Sequence, residues 1–362
     1  MAVSRRDFLK GLAVGGTAGY FTMAGLSSTV MKDMFVPDEP VGDVEIGEVK
    51  SVKCTVVSET SWFKNAVTVG DMQKAGGLLV NQYIIPWTRT GVPEGFNGDN
   101  RGGYCTLIDV EFMDGTKKKI LFDCGWNNAW MDECFRREGV DKMLEKDQID
   151  LFFITHEHFD HYWGVESVTK HCNDMPVMVP KGFYQEGFDL LCNKGNWPVA
   201  GVKNDYPYKG KYTVHESGKV HKIFPGVASI TFDSSIITRV KGEQALIFNI
   251  HDKGLAIVTG CCHMGIISLL QEVRHRVKGG EKIYAIQGGL HISPFEDWDP
   301  QYDDLILAIP KYGIEVMGCN HCTGYLTAEK MVKAGLPVVQ GTARFKSKKQ
   351  LYLGNGDQIV FG

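Results

Sequence analysis

Three histidines and an aspartate, His156, His158, Asp160 and His161, fall within six positions of the segment FFITHEHFDHYWG (152–164). Imidazole nitrogens and a carboxylate are the donors that suit Zn²⁺, and they also accept iron or manganese. On an irregular loop, residues two apart turn toward the same side, so His156 and His158 can hold one ion. Asp160 and His161 are then offset toward a second position close by. Two ions sharing a water lower its pKa toward neutrality and present it as hydroxide. A cluster this dense therefore serves two metals, of which the sequence leaves the identity open.

The other chemistry-bearing residues stand where apolar runs stop. Asp123 ends KKILFDCG, His263 follows LAIVTGCC, His291 follows IYAIQGGL, and His321 follows IEVMGCN. Strand ends at one edge of an α/β scaffold converge on a single cleft supported by rigid elements. One histidine in such a place is ordinarily a packed or surface residue; five strand ends bearing His or Asp are hard to explain by packing. His171, His215, His221, His251 and His275 lack that context and are expected to be ordinary.

The elements beneath these residues follow from the pattern. YCTLIDVEFMDGTKKKILFDCG (104–125) predicts a β-hairpin turning at Asp114-Gly115. NNAWMDECFRREGVDKMLE then has helical spacing, and IDLFFIT is a short buried strand. EQALIFNIHDKGLAIVTG predicts a second hairpin that runs into a helix ended by Gly279-Gly280. Strand KIYAIQG, helix YDDLILAIPKYG, strand IEVMG, helix YLTAEKMVKAG and a β-rich tail complete the order. Strand-rich halves with interspersed helices suggest two packed sheets covered by helices.

Composition bounds the rest. The 362 residues are 43% hydrophobic and 23% charged, as in a soluble globular protein with a substantial core. The net charge is −4, and no dense Lys/Arg tract occurs beyond KSKKQ (346–350), so a nucleic-acid surface is not expected. Ten cysteines are too sparse for a disulfide scaffold; Cys319 and Cys322 form one isolated C-x-x-C, and most cysteines read as small core residues. Residues 59–103, with Trp62, Trp87, Arg89 and Phe96, read equally as a roof over the cleft or as packing. A stretch with Trp197, Tyr206 and Tyr208 offers another wall.

At the N-terminus, SRRDFLKGLAVGG has paired Arg5 and Arg6, then Phe8, Leu9 and Lys10, then a mildly apolar, Gly-rich run. Residues 1–30 resemble a twin-arginine export signal. No clear A-x-A cleavage site follows, so retention as a membrane tether is an open alternative. The expected location is the periplasm or the outer face of the cytoplasmic membrane, reached through the twin-arginine machinery. Residues 31–47, acidic with two prolines, read as a linker to a domain spanning 48–362.

THEHFDH matches the T-H-x-H-x-D-H signature of the metallo-β-lactamase superfamily, with the other strand ends in its order. The resemblance implies a four-layer αββα sandwich of two mixed sheets, with the metal site along one edge. It implies that His156, His158 and His263 hold the first metal, and that Asp160, His161 and His321 hold the second. Asp123 resembles the family aspartate that orients the metal-binding loop without ligating. Where superfamily hydrolases usually carry a metal-bridging aspartate, this chain reads QGGLHISPFEDWD. His291 is then either a ligand or a substrate contact, and Asp297 and Asp299 are near enough in sequence to reach in. TGCCHMGI, GGLHIS and NHCTG resemble the branch described as dihydropterin–ribofuranosylaminobenzene 5′-phosphate synthases.

The expected activity is metal-dependent hydrolysis of a small ester, amide, thioester or phosphoester by a metal-bound hydroxide, with Asp160 also accepting the nucleophile's proton. The expected cofactor is Zn²⁺, one or two ions, with iron or manganese as alternatives. A pterin-type condensing synthase and an iron-dependent redox enzyme are the competing functions on this fold. The redox branch usually has H-x-E-x-D, and here that position is His158.

Overall fold

The computed structural model describes residues 39–59, 65–87, 102–194, 202–233, 237–345, 347 and 349–362. The twin-arginine segment, Trp62, Arg89, Phe96 and Trp197 lie outside the described residues. Two strand systems make up the fold, and each continues the apolar runs of the sequence. The first contains β1 (Val49–Ser58), β2 (Cys105–Phe112), β3 (Lys117–Phe122), β4 (Leu151–Phe153), β5 (Val177–Pro180) and β6 (Tyr212–His215). The second contains β7 (Val220–Phe224), β8 (Val227–Asp233), β9 (Gly242–Ile250), β10 (Gly254–Thr259), β11 (Ile283–Gly289) and β12 (Val316–Asn320). β13 (Gln358–Phe361) returns to pair with β1.

The spatial order is β13-β1-β2-β3-β4-β5-β6 in one half and β12-β11-β10-β9-β8-β7 in the other. A single pair, Val49 with Ile250, joins the halves into one hydrogen-bonded path. Side-chain alternation shows that they stack as two layers. In β10, Ala256 and Val258 enter a core shared with Val52, Cys54 and Val56 of β1, while Leu255 and Ile257 face helices. In β3 and β4, Phe122 and Phe153 join that same central core, while Leu121 and Phe152 face the other helices. Strands covered on both faces read as continuous apolar runs, which is why LAIV and LFFI show no polar alternation. The architecture is the four-layer αββα sandwich expected from the resemblance.

The helices of the outer layers are α1 (Asn65–Ala75), α2 (Asn128–Glu138), α3 (Val140–Glu145), α4 (Phe159–Tyr162), α5 (Glu166–Thr169), α6 (Gln185–Cys192), α7 (Ile266–Arg276), α8 (Gln301–Ala308) and α9 (Tyr325–Lys333). The helical stretch expected over 127–145 is two helices. The Asn127 side chain caps α2 by accepting from Trp130 N, and Gly139 at φ 71° ends it. A left-handed residue there stops the hydrogen-bond ladder, and glycine takes that conformation with least strain. The predicted hairpin turn stands as expected, with Asp114 Oδ1 accepting from Thr116 N at 2.9 Å and Gly115 at φ 83°.

Three expectations change in detail. The strand within IDLFFIT is only Leu151–Phe153, because its last residues bend into the loop that carries His156 to His161. Among the described residues the β-rich tail contributes one strand and an isolated bridge from Val338 to Met317. Residues 42–46, read as the end of a linker, lie against α7: Gly42 N and Val44 N donate to Arg274 O and Arg276 O, and Ile46 is buried. Its apolar Val44 and Ile46 provide the packing that a free linker would lack. No described helix is long and apolar enough to cross a membrane.

Candidate metal centre

Parallel pairing carries the chemical residues to one edge. β3, β4 and β5 run parallel, as do β10, β11 and β12, so within each set the C-terminal ends share a side. Four residues just past those ends, Asp123, Cys262, His291 and His321, are non-glycines with φ between 43° and 60°. Such residues are uncommon and cost local strain that the surrounding structure must hold. Gln244 ties the halves together there: its Nε2 donates to Ile154 O at 2.8 Å, and its backbone N donates to Thr155 O at 2.9 Å.

The loop from Thr155 to His161 is held from several directions. Asp160 O accepts from Tyr104 N at 2.8 Å, and His161 O accepts from Cys124 N at 2.9 Å. The Gln82 side chain braces it twice, donating from Nε2 to Glu157 O at 2.7 Å and accepting from Phe159 N at 3.0 Å. Glu157 turns away from the histidines; its carboxylate accepts from Tyr83 Oη at 2.9 Å and Tyr184 N at 2.6 Å. Burial pushes the Glu157 carboxyl up to about 8, against the lowering by those hydrogen bonds.

His156, His158 and His263 form the first convergent group, each offering a ligand atom within 4.8 Å of the others. Their outer nitrogens are engaged, which selects the inner ones. His158 Nε2 lies 2.7 Å from Ile237 O, a pure acceptor, so Nε2 carries the proton and Nδ1 the lone pair. His263 Nδ1 donates to Glu243 Oε1 at 3.1 Å, and Glu243 Oε2 also accepts His263 N at 2.7 Å. His156 Nδ1 meets Thr155 Oγ1 at 2.8 Å. The Nε2 atoms of His156 and His263 are buried with no hydrogen-bond partner in the protein. Burial in the first place, and for His158 the nearby His263, hold these rings neutral, with His158 lowered to about 4 and His263 to about 3. Neutral imidazole is the metal-binding form.

Asp160, His161 and His321 form a second group within the same 4.8 Å limit. His321 Nε2 is 3.3 Å from Asp160 Oδ2 and 3.2 Å from His161 Nε2. Burial would raise Asp160, but the facing His161 and His321 rings outweigh it and keep the carboxyl below the usual carboxylate range. Asp123 stands behind this group, wholly buried, accepting from Thr155 N, Thr155 Oγ1 and His161 Nδ1, each at 2.7 Å. The bond from His161 Nδ1 leaves its Nε2 lone pair facing the group. Burial raises the Asp123 carboxyl and its bonds to Thr155 oppose that; a nearby cation would favour the charged form further.

The remaining sequence expectations sort as follows. The His291 ring lies 4.5 Å from that of His263, on the flank of the first group, and His291 enters no convergent set among the described residues. The His263 side chain is nearly covered and those of His156 and His161 fully so. Asp297 and Asp299 are exposed, and Asp299 instead accepts from Gln301 N before α8. Trp87 is packing and not roof: it is buried, with its ring 4.4 Å from Phe159 beneath the loop. Tyr208 is buried with its hydroxyl on Met175 O, and Tyr206 is exposed. His171, His215 and His251 bond Glu145, Gln244 and Glu48, and none of the three enters a convergent group among the described residues.

Sequence reasoning missed Glu243, Gln82 and Cys261. Glu243, pushed by burial up to about 7, is the residue that aims His263. Its signal was a pair of polar residues opening an otherwise apolar strand, EQALIFNI. Cys261 approaches His161 Nε2 at 3.0 Å, and its signal was its place two residues before His263.

A metal fits this donor set. Two buried imidazole nitrogens with no protein partner converge with a third ring, beside a carboxylate and two further rings, and an unsatisfied buried acceptor costs about 1–3 kcal/mol. Residues 98–212 match the model of the metallo-beta-lactamase superfamily. Over 256 residues the chain is 26% identical to a protein of Methanocaldococcus jannaschii named 7,8-dihydropterin-6-methyl-4-(beta-D-ribofuranosyl)-aminobenzene-5'-phosphate synthase, covering 63% of this chain and 83% of that one. An uncharacterized protein of the same archaeon is 26% identical over 248 residues, 63% of this chain and 86% of its own. Among solved structures, a metal-dependent hydrolase of the beta-lactamase superfamily superposes with a TM-score of 0.50 and 16% identity, covering 85% of this chain and 98% of that one.

Proposed function

We propose, from the premise that this chain carries the metallo-β-lactamase fold, that it is a metal-dependent hydrolase of a small ester, amide, thioester or phosphoester. The observation that supports this most is the pair of convergent groups, His156/His158/His263 and Asp160/His161/His321, on one loop and two further strand ends. Their nitrogen-rich character suits zinc, with iron or manganese as alternatives. When bound, the metal would supply Lewis acidity and an activated water at neutral pH.

The chain's own residues do the rest. Thr155, Glu243 and the Ile237 carbonyl hold the outer nitrogens of the first three rings, so their lone pairs face inward without rearrangement. Asp160, kept ionised by its two facing rings, is placed to ligate and to take the proton of the nucleophile at Oδ2. His291, beside His263 at the edge of the first group, contacts the substrate.

His291→Ala is accordingly expected to keep both metal equivalents while lowering turnover or raising KM. Titrating metal into the apo variant checks it. Selective loss of the weaker binding step would make His291 a ligand instead.

A second reading has its own support: the 26% identity to the named pterin-compound synthase favours a condensing enzyme. A panel of esters, lactones, thioesters and phosphodiesters, run beside a condensation assay with a pterin and an aminobenzene ribofuranosyl phosphate, separates the two. Condensation without hydrolysis would replace the hydrolase reading. The redox reading is disfavoured by His158 at the position of interest and by Glu157 facing Tyr83 and Tyr184.

Export through the twin-arginine route, with the protein acting outside the cytoplasm, is part of the same proposal. A reporter behind residues 1–35 is expected to leave the cytoplasm, and Arg5→Lys with Arg6→Lys to block it. The double change keeps charge and removes the guanidinium's planar donor geometry. Export that persists in the double variant would remove the assignment.

A further inference from the structure

We propose that the Cys261 thiolate is a ligand at the second metal position, filling the place that the superfamily's bridging aspartate leaves vacant in this chain's sequence. The inference rests on the metal-dependent reading above. Cys261 lies just beyond β10 and is almost wholly buried. Its Sγ is 3.0 Å from His161 Nε2, the nitrogen whose proton has been excluded by the bond from Nδ1 to Asp123. It also shares convergent sets with His156 and with His321. Among the described residues it is the one non-histidine side chain in those sets that reaches members of both metal groups.

The spacings of Asp160, His161 and His321 fit a common centre, and Cys261 adjoins it through His161. Zinc–nitrogen and zinc–sulfur bonds in a tetrahedral site imply ligand–ligand edges of about 3.3 Å for N–N or N–O and about 3.6 Å for N–S. Here His161–His321 is 3.2 Å, His321–Asp160 is 3.3 Å and His161–Asp160 is 3.9 Å. The Cys261–His161 contact of 3.0 Å is a thiol hydrogen bond, and opening it by about 0.6 Å reaches the N–S edge. On binding, a metal–sulfur bond forms, the S–H bond breaks, and the proton leaves to solvent. No oxidant or reductant is needed.

Two neighbours compete for the role and fit it less well. Cys322 Sγ reaches His321 and Cys261 but no set containing His161 or His156, and its sulfur fills the space over Gly289. His291 lies on the far flank, against His263. A sulfur donor also carries a consequence for selectivity, because soft thiolate favours zinc, cobalt or iron over manganese or magnesium.

Cobalt(II) reconstitution of the reduced, full-length protein tests this. The expected spectrum has ligand-field bands together with a thiolate-to-cobalt charge-transfer band in the near ultraviolet. Cys261→Ala should lose the charge-transfer band, keep the ligand-field bands of the first equivalent, and bind the second equivalent about 10–100-fold more weakly or worse. Cys261→Ser, closer in shape, should lose the same band, and Cys322→Ser should keep it. Circular dichroism of each variant separates misfolding from ligand loss. Ligand-field bands without the charge-transfer band in the wild type, or a band that survives Cys261→Ala and Cys261→Ser, would overturn the assignment and leave the metal reading standing. Absence of both kinds of band would overturn both.

Discussion

His156→Ala and His158→Ala are each expected to yield protein that lacks its first metal ion and has no measurable turnover. The expectation follows from how completely the site is built before any ion arrives. Three rings present inward nitrogens within 4.8 Å, and two of those nitrogens have no alternative partner in the protein. Truncating one ring leaves His263 and a single donor on a loop braced by Tyr104, Cys124 and Gln82, which cannot shift to supply a third. Losing Lewis-acid stabilisation of several kcal/mol corresponds to a rate loss of about 10³-fold or more. Elemental analysis alongside turnover checks both halves of the claim. His171→Ala, whose ring bonds Glu145 at the surface, should change neither. Metal content unchanged in both ligand variants would mean that the ion sits elsewhere.

Asp123→Ala should weaken the second site without touching a ligand. The carboxylate gathers three donors at 2.7 Å, two from Thr155 and one from His161, in a wholly buried position. Removing it frees the His161 ring to rotate or change tautomer, and outer partners of this kind are worth about 10–100-fold in metal affinity. It also leaves buried donors unpaired, at about 1–3 kcal/mol each, so the metal-free protein should melt earlier. Asp123→Asn is the sharper variant, because it keeps the volume but cannot accept from all three donors. Chelator-competition titration is the deciding measurement. A lower melting temperature with unchanged metal affinity would reduce Asp123 to a packing role.

Much of this could be read without coordinates, for a local reason. The ligand loop is six residues long, and the apolar runs before Asp123, His156, His263, His291 and His321 are local as well. Runs that are apolar on both sides imply strands covered on both faces, which is already most of a layered fold. The Asp114-Gly115 turn likewise follows from two adjacent residues. By contrast, Trp87 reads the same in sequence whether it covers a cleft or, as here, packs under a loop against Phe159.

What only the tertiary structure decided is which distant side chains meet. Cys261 and His161 are a hundred residues apart and touch because β10 and β4 end on the same side of two stacked sheets. Glu243 opens a strand and looks like any boundary residue until the turn after β10 brings His263 back onto its carboxylate. His291 was left open between two roles by its place after β11, and its packing against His263 sets it apart from the Asp160 group. The type and spacing of the donors are local properties of the chain. Which lone pair each ring presents, and which of the ten cysteines joins the donors, depend on strand order and sheet stacking, which arise only when the two halves bury their shared core.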